Sequence, residues 1–383
     1  MGFHHDGMDS SRFRCDIIAA SADSHQRNQE ETEMDATTVA VDLAKTVFEL
    51  AIANAQWRII ARQRLNRAQF IRFLTETAPT HVVMEACGMA HHWGRVAQEH
   101  GHRVTLLPPA YVRPYVRRNK TDRADAEAIL EAVRSGEVPS VPVKRIEQQA
   151  LVGLHRVREQ WMTTRTARIN TLRGLLREHG ILLPAGARAA LHTLPATLED
   201  AETPLPMHLR HVLASVHAEV RAIEARLDDL ERELRAVADA DSVATRLRGI
   251  PGIGLLTATA LVGTVGHIHG FRRARQFASW LGLTPREYSS GARRRLGGIS
   301  KRGDVYLRCL LSHGARAVLH AAHRRRVAQQ PLTRLHQWAL MVQARRGHNK
   351  ATIAVANKLG RIVWAVWVRD VEFSPRPALP EAA

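Results

Sequence analysis

Four carboxylates in this chain stand where a divalent metal would need them. Asp42 lies at the end of an expected strand in AVDLAK, Glu85 at the end of another in VVMEACG, and Asp122 and Asp125 lie three apart in KTDRADAEAI. Residues three apart share a helix face. Mg²⁺ prefers oxygen ligands and keeps several waters. Two such ions about 3.5–4 Å apart stabilise the entering and leaving oxygens of an in-line phosphoryl displacement. Arg113, Arg117, Arg118, Lys120 and Arg123 crowd the aspartate pair. Metal ions that bridge carboxylates to a phosphate backbone would reconcile these opposite charges. The competing reading is structural, with Thr121 and Asp122 capping a helix and Asp42 serving as a turn residue. Glu85 resists that reading, because the apolar VVM before it makes a buried strand and a carboxylate near a core needs a partner.

A second constellation is YSSGARRRLGGISKRG, where Ser289 and Ser290 precede Gly291 and a basic run of Arg293, Arg294, Arg295, Lys301 and Arg302. It reads as a polar surface loop, or as a loop whose hydroxyls, N–H groups and guanidiniums face phosphate. A sharper reading makes one serine a nucleophile on DNA phosphorus. A phosphoserine link conserves the phosphodiester's energy, so strands can be resealed without ATP, and the arginines would stabilise the charged transition state. Arg308 and Lys120 join the residues expected to contact nucleic acid. RGIPGIG offers Gly252 and Gly254 as the turn of a helix-hairpin-helix, where backbone N–H groups approach a phosphate. A plain connection between helices explains the same residues.

The composition points to the same class of partner. The chain has 383 residues, with 55 Lys and Arg against 37 Asp and Glu, a net charge of +18 and a pI near 11.0. Such an excess implies a polyanionic partner, most often a nucleic acid backbone. Spread along the chain, it argues against a membrane-surface helix, and aromatics at 5% argue against a protein that mainly stacks single-stranded bases. Cys15, Cys87 and Cys309 are too few and too scattered for a disulfide framework or a zinc ribbon, which suits a reducing cytoplasm. The His91–His92 and His267–His269 clusters lack the partners of a zinc site. No apolar run is expected to cross a membrane. The polar segment 1–35 predicts a disordered leader, with Met34 as the expected start of translation.

The elements that must position these residues follow from periodicity. TTVAVDLAK, TVFELAIAN and WRIIARQRL predict three short strands in a meander. A helix at Arg67–Thr77, a buried strand HVVMEA, a helix at Ala90–His100 and a strand HRVTLL follow, the last ending at Pro108–Pro109. This order predicts a mixed α/β domain over 36–137 and matches a RuvC-like or ribonuclease-H-like fold. From Lys144 to Gly180 the chain reads as a basic helix with an apolar stripe, and LPAGARAALHTLPATLEDAETPLP breaks the periodicity. Leu213, Val216, Val220, Ile223, Leu227, Leu230, Leu234 and Val237 then recur as the a and d positions of a coiled coil. They would pair either between two chains or within one, so 144–240 is expected to be a helical linker. Residues 243–372 read as a mostly helical domain, and 373–383 as a frayed tail.

At this point the motifs VDLAKTVFELAI, VVMEACG, KTDRADAEAI, LRGIPGIGLLTA, FASWLGLTPREYSSG and GGISKRGDVYLRCLL together resemble the DEDD transposases of the insertion-sequence 110/1111 group. The resemblance runs from Thr38 to Val371 with all six motifs in order. It implies a RuvC-like domain joined through a coiled coil to a carboxy-terminal transposase domain. It implies that Asp42, Glu85, Asp122 and Asp125 bind two Mg²⁺ ions, with Mn²⁺ as a substitute, and that Ser290, before Gly291, is the nucleophile. Excision and insertion of the element would then pass through a covalent phosphoserine. The implied partners are DNA at the element ends and target, a structured bridge RNA as guide, and further copies of the chain in a dimer or tetramer with composite sites. The implied location is the bacterial cytoplasm, at the nucleoid. Two other readings compete: a metal-dependent nuclease or junction resolvase that uses water, and a non-catalytic nucleic-acid-binding protein.

Overall fold

The structure, a computed structural model, describes residues 37–116 and 122–375, with Asp122 by its backbone alone. The leader with Cys15 and Met34, together with Arg117, Arg118, Lys120, Thr121 and the tail 376–383, lies outside the described residues. The chain divides into two compact units, Met1–Arg145 and Ile146–Ala383.

The first unit is built on a mixed five-stranded sheet. Strands β1 (Thr38–Leu43), β2 (Val47–Ala53) and β3 (Ile59–Asn66) are followed by helix α1 (Arg67–Glu76), strand β4 (His81–Glu85), helix α2 (Ala90–Glu99) and strand β5 (Arg103–Leu107). The spatial order is β3-β2-β1-β4-β5. The β1–β2 and β2–β3 pairs are antiparallel, while β1–β4 and β4–β5 are parallel. Asn66 caps α1 in a capping box with Gln69. A short helix α3 (Pro109–Val112) leads to α4 (Asp122–Arg134).

Alternation along the strands separates two cores. Val39, Val41, Phe48, Leu50, Val82 and Met84 pack with Phe70 and Trp93 on the α1 and α2 side. Ala40, Ala51, Ala53 and Val83 face Ala126, Ala128, Ile129 and Ala132 of α4. The alanines on both partners let α4 lie close to the sheet, and that contact sets the position of its carboxylates.

The second unit is helical. Helix α5 (Ile146–Glu178) is followed by α6 (Ala187–Glu199), α7 (Met207–Ala240), α8 (Ser242–Arg248), α9 (Leu255–Val265) and α10 (Ala274–Trp280). A two-stranded hairpin, β6 (Pro285–Glu287) and β7 (Leu296–Ile299), then precedes α11 (Val305–Val327), α12 (Arg334–Arg346) and α13 (His348–Arg369). The heptad seam of α7 pairs within the chain. Arg158, Arg165 and Arg168 of α5 bond to Glu231, Glu224 and Glu219 of α7 at 2.7, 2.6 and 2.7 Å. Partner numbers fall on α7 as they rise on α5, so the two helices are antiparallel. Leu213, Val220, Ile223, Leu227, Leu230 and Leu234 are buried along α7. At its last turn Ala238 takes the buried place and Val237 stays exposed.

Three further features differ from the sequence expectations. The segment read as aperiodic contains α6, which continues through Pro195 because Ala190, Leu191 and Leu194 bury one face. The segment read as a loop around Ser290 is the β6–β7 hairpin. Helix α13 is long and apolar enough to cross a membrane, yet Ala351, Val355, Ala356, Leu359 and Val363 are spent in the core shared with α9 and α11. Leu151 of α5 and Leu230, Leu234 and Ala238 of α7 join that same core.

His155 of α5 is buried between Tyr306 and Thr259. Its Nδ1 lies 3.0 Å from the Tyr306 hydroxyl and its Nε2 lies 3.0 Å from Thr259 Oγ1. Burial, then the Arg158 charge, lowers its pKa to about 4, so the ring is neutral and ties α5 to α9 and α11.

Candidate active site

The sheet register decides how Asp42 and Glu85 meet. Val41 of β1 is paired with Met84 of the parallel strand β4, so the next residues, Asp42 and Glu85, stand side by side at the carboxyl ends of two adjacent strands. By alternation both belong with Ala40 and Val83 on the face that α4 covers. Both are half-buried. Their charges reach a common neighbour: burial first, then Glu85, then Asp42, pushes the Cys87 thiol pKa up.

Helix α4 brings the aspartate pair to the same face. Its buried stripe includes Ala128, Ile129 and Ala132. These lie three, four and seven residues after Asp125, so half-buried Asp125 begins the stripe that packs on the sheet. Asp122 opens the helix one turn earlier. Among the described residues no group of three or more His, Cys, Asp or Glu closes on one metal point, and the Asp122 side chain is not among them. The donors fit a hard divalent cation in chemistry, being carboxylate oxygens at adjacent positions.

One acidic residue was missed from the sequence. Glu49 of β2 is the antiparallel partner of Asp42 and so lies on the same face, where Arg64 pairs with it at 3.2 Å. In TVFELAIAN it reads as the polar member of an alternating strand. Only the β1–β2 register shows its neighbour. Beside it, Arg62 and Arg123 share Glu127 at 2.8 and 3.7 Å, with Lys120 outside the described residues.

In the second unit the two serines sit on a tight hairpin and differ in their bonding. The Ser290 and Arg293 backbones exchange hydrogen bonds of 3.2 and 3.1 Å, which leaves Gly291 and Ala292 as a two-residue loop. Gly291 has φ +53°, the left-handed conformation a glycine adopts without strain at the first loop position. Ser289 Oγ donates to Glu287 Oε1 at 2.7 Å and accepts from the Arg295 N–H at 3.1 Å. Arg294 approaches Glu287 at 3.6 Å. Among the described residues Ser290 Oγ has no hydrogen-bond partner, and the residue is exposed.

The basic residues around this hairpin fall into two groups. Arg293, Arg294, Arg295, Lys301 and Arg302 are exposed. Arg308 is half-buried and donates to the Gly303 carbonyl at 3.0 Å, so it holds the loop before α11. That loop is pinned on its other side, where Lys301 N–H donates to Gly282 O at 3.2 Å. Gly252 and Gly254 also separate. Gly252 has φ +86°, and a Cβ there would stand 2.7 Å from Gly314 O of α11. It is a packing residue of the α8–α9 connection. Gly254 is exposed at the start of α9, with open space beside its Cα.

Residues 39–181 match the IS110-type DEDD transposase domain, described as Transposase, and residues 244–330 match the Transposase IS116/IS110/IS902 family. A Pseudomonas aeruginosa protein named "Probable family 20 transposase" is 41% identical over 343 residues, 89% of this chain and 100% of that one. The chain belongs to the IS116/IS110/IS902 transposase family. The "Transposase for insertion sequence element IS1111A" of Coxiella burnetii is 39% identical over 336 residues, 88% of this chain and 91% of its own. The "Transposase for insertion sequence element IS1328" of Yersinia enterocolitica is 36% identical over 338 residues, 88% and 98% of the two chains. In this transposase the first match contains all four carboxylates and the second contains Gly252, Gly254 and the serine hairpin. As an enzyme of that family it acts on DNA.

Proposed function

We propose that this transposase excises and inserts its element through a phosphoserine on Ser290, with Asp42, Glu85, Asp122 and Asp125 holding two Mg²⁺ ions on a RuvC-like sheet. The observation that carries the reading is the adjacency of Asp42 and Glu85 on the face covered by α4. The strand order and parallel β1–β4 pair support the RuvC-like assignment.

When bound, the metal ions supply Lewis acidity to the scissile phosphate. The chain's own residues do the rest. Ser290 Oγ attacks phosphorus, an Oγ–P bond forms and the P–O bond to the departing deoxyribose breaks. The serine loses its proton and the departing oxygen takes one up. Arg293, Arg294 and Arg295 lie next to the hydroxyl in the chain and favour charge that develops on the phosphoryl oxygens. Reversal of the same exchange by the new strand's hydroxyl reseals the DNA and frees the serine.

A second assignment has its own observation, because Ser289 already donates to a carboxylate. Two features favour Ser290 over it. The Ser289 oxygen is occupied by the Arg295 N–H, which closes the hairpin, and Arg294 draws on the basicity of Glu287. Phosphate contacts at Arg293, Arg294, Arg295, Lys301 and Arg302 position the DNA, with Gly254 of the α9 turn as a further backbone contact. Sequence choice is assigned to a bridge RNA, assembly to a dimer or tetramer, and location to the bacterial nucleoid.

The test is a trapping assay with the full chain, Mg²⁺, DNA of the element's end and RNA transcribed from its flanks. A denaturing gel would show DNA covalently attached to wild-type protein and none attached to Asp42→Asn. Cleaved DNA without an adduct would replace this reading with a water-using nuclease.

A further inference from the structure

The charge of the carboxy-terminal helices is one-sided beyond what the serine hairpin needs. Residues 305–369 contain twelve Lys and Arg and no Asp or Glu. The acids that bracket this stretch are both engaged. Asp304 caps α11 by accepting from Leu307 N–H at 2.8 Å, and Asp370 pairs with Arg246.

Half of those cations gather at one corner. His323 near the end of α11 bonds to Gln343 of α12 at 2.8 Å, and Gln343 lies 3.3 Å from His348 at the start of α13. Around this node stand Arg324, Arg325, Arg326, Arg345, Arg346 and Lys350, all exposed. Among the described residues none of the six makes an ion pair, although Arg325 donates to Pro331 O at 3.1 Å. Helix dipoles account for some of this, since a cation in a last turn contributes about 0.3–1 kcal/mol. They do not account for five arginines at two helix ends plus a lysine at the start of a third. Like charges on one surface repel and destabilise the compact state, so an unbalanced corner implies an anion that balances it.

We propose that this corner is a second binding surface for a nucleic acid backbone, separate from the serine hairpin. Helix α11 links the two. Its 23 residues span about 34 Å at ~1.5 Å per residue, close to one turn of B-DNA at about 34–36 Å. The corner therefore lies about one helical turn of DNA from the loop that joins the hairpin to α11. The proposal requires only that the transposase binds nucleic acid, and stands whether or not Ser290 is a nucleophile.

The test is the salt dependence of binding by the full-length protein. The variant Arg324→Gln/Arg326→Gln/Arg345→Gln/Arg346→Gln leaves Arg325 on Pro331. The probes are a random-sequence duplex of about four helical turns and a single-stranded RNA of the same length. Each lost phosphate contact lowers the slope of log K against log salt by about 0.9 on duplex DNA and about 0.7 on a single strand. The expected loss is about 3.6 on duplex DNA or about 2.8 on RNA, and the probe that responds identifies the ligand. The corresponding four-lysine variant should keep the wild-type slope. If the four-glutamine protein melts early, the α11 and α12 pairs are read separately, each expected to lose about half. A slope unchanged within one contact on both probes overturns the proposal.

Discussion

Asp42 and Glu85 occupy neighbouring positions on adjacent parallel strands, one residue beyond the Val41–Met84 register pair. Two carboxylates so placed repel each other, and a cation between them would relieve that repulsion.

Metal should therefore stabilise the fold through this pair. Millimolar Mg²⁺ is expected to raise the melting temperature of the wild-type protein, the stabilisation being about 2.7 kcal/mol where the ion is a hundredfold above its Kd. Asp42→Asn and Glu85→Gln should lose that response. A wild-type melt indifferent to Mg²⁺ and Mn²⁺ would count against a metal at this edge.

Gly252 and Gly254 should respond differently to one methyl group. Gly252→Ala places a Cβ 2.7 Å from Gly314 O at a backbone φ of +86°, and should cost at least about 1–3 kcal/mol. Gly254→Ala meets open space and should leave stability within about 0.5 kcal/mol. Denaturant unfolding of the two variants decides it, and equal losses would contradict the packing role.

The α5–α7 hairpin is held within one chain. Reversing Arg165→Glu or Glu224→Arg alone should destabilise the protein, and the double reversal should recover about 1 kcal/mol of coupling. Recovery should be independent of protein concentration. Recovery that also appears on mixing the two single variants would place the pair between chains.

Acid should weaken the second unit through His155. Its folded pKa of about 4 lies below its ordinary 6.5, so the unfolded chain binds the proton first. The sign follows: stability is full above pH 6.5 and falls as the pH drops towards about 4, by at most about 1.4 kcal/mol per pH unit for one proton. His81 is shifted the same way, by burial and then by Arg103. His155→Gln keeps both hydrogen-bonding ends without titrating, so its stability should change less between pH 6.5 and 4.5. An unaltered pH profile would refute the assignment.

Much of the first unit was legible because its signals are local. Period-two runs marked the strands, and Asp42 and Glu85 stood out at the ends of apolar segments. Glu49 was not legible as their neighbour, since its approach to Asp42 depends on a turn in which Ala44 N–H bonds Val47 O at 3.2 Å. A heptad stripe looks the same whether its partner is another chain or α5, so only the arginine–glutamate pairs show the hairpin. Pro195 hid α6, because burial of Leu191 and Leu194 offsets a defect that propensity alone would treat as a stop. The distinction between Ser289 and Ser290 was invisible too, for it rests on which hydroxyl the hairpin consumes.

The measurement that bears most directly on the central claim is mass spectrometry of the protein–DNA adduct after nuclease and protease digestion. The account predicts a nucleotide on Ser290, with the adduct lost in Ser290→Ala and retained in Ser289→Ala. A nucleotide on Ser289, or an adduct that survives Ser290→Ala, would contradict it and give the reaction to the hydroxyl bonded to Glu287.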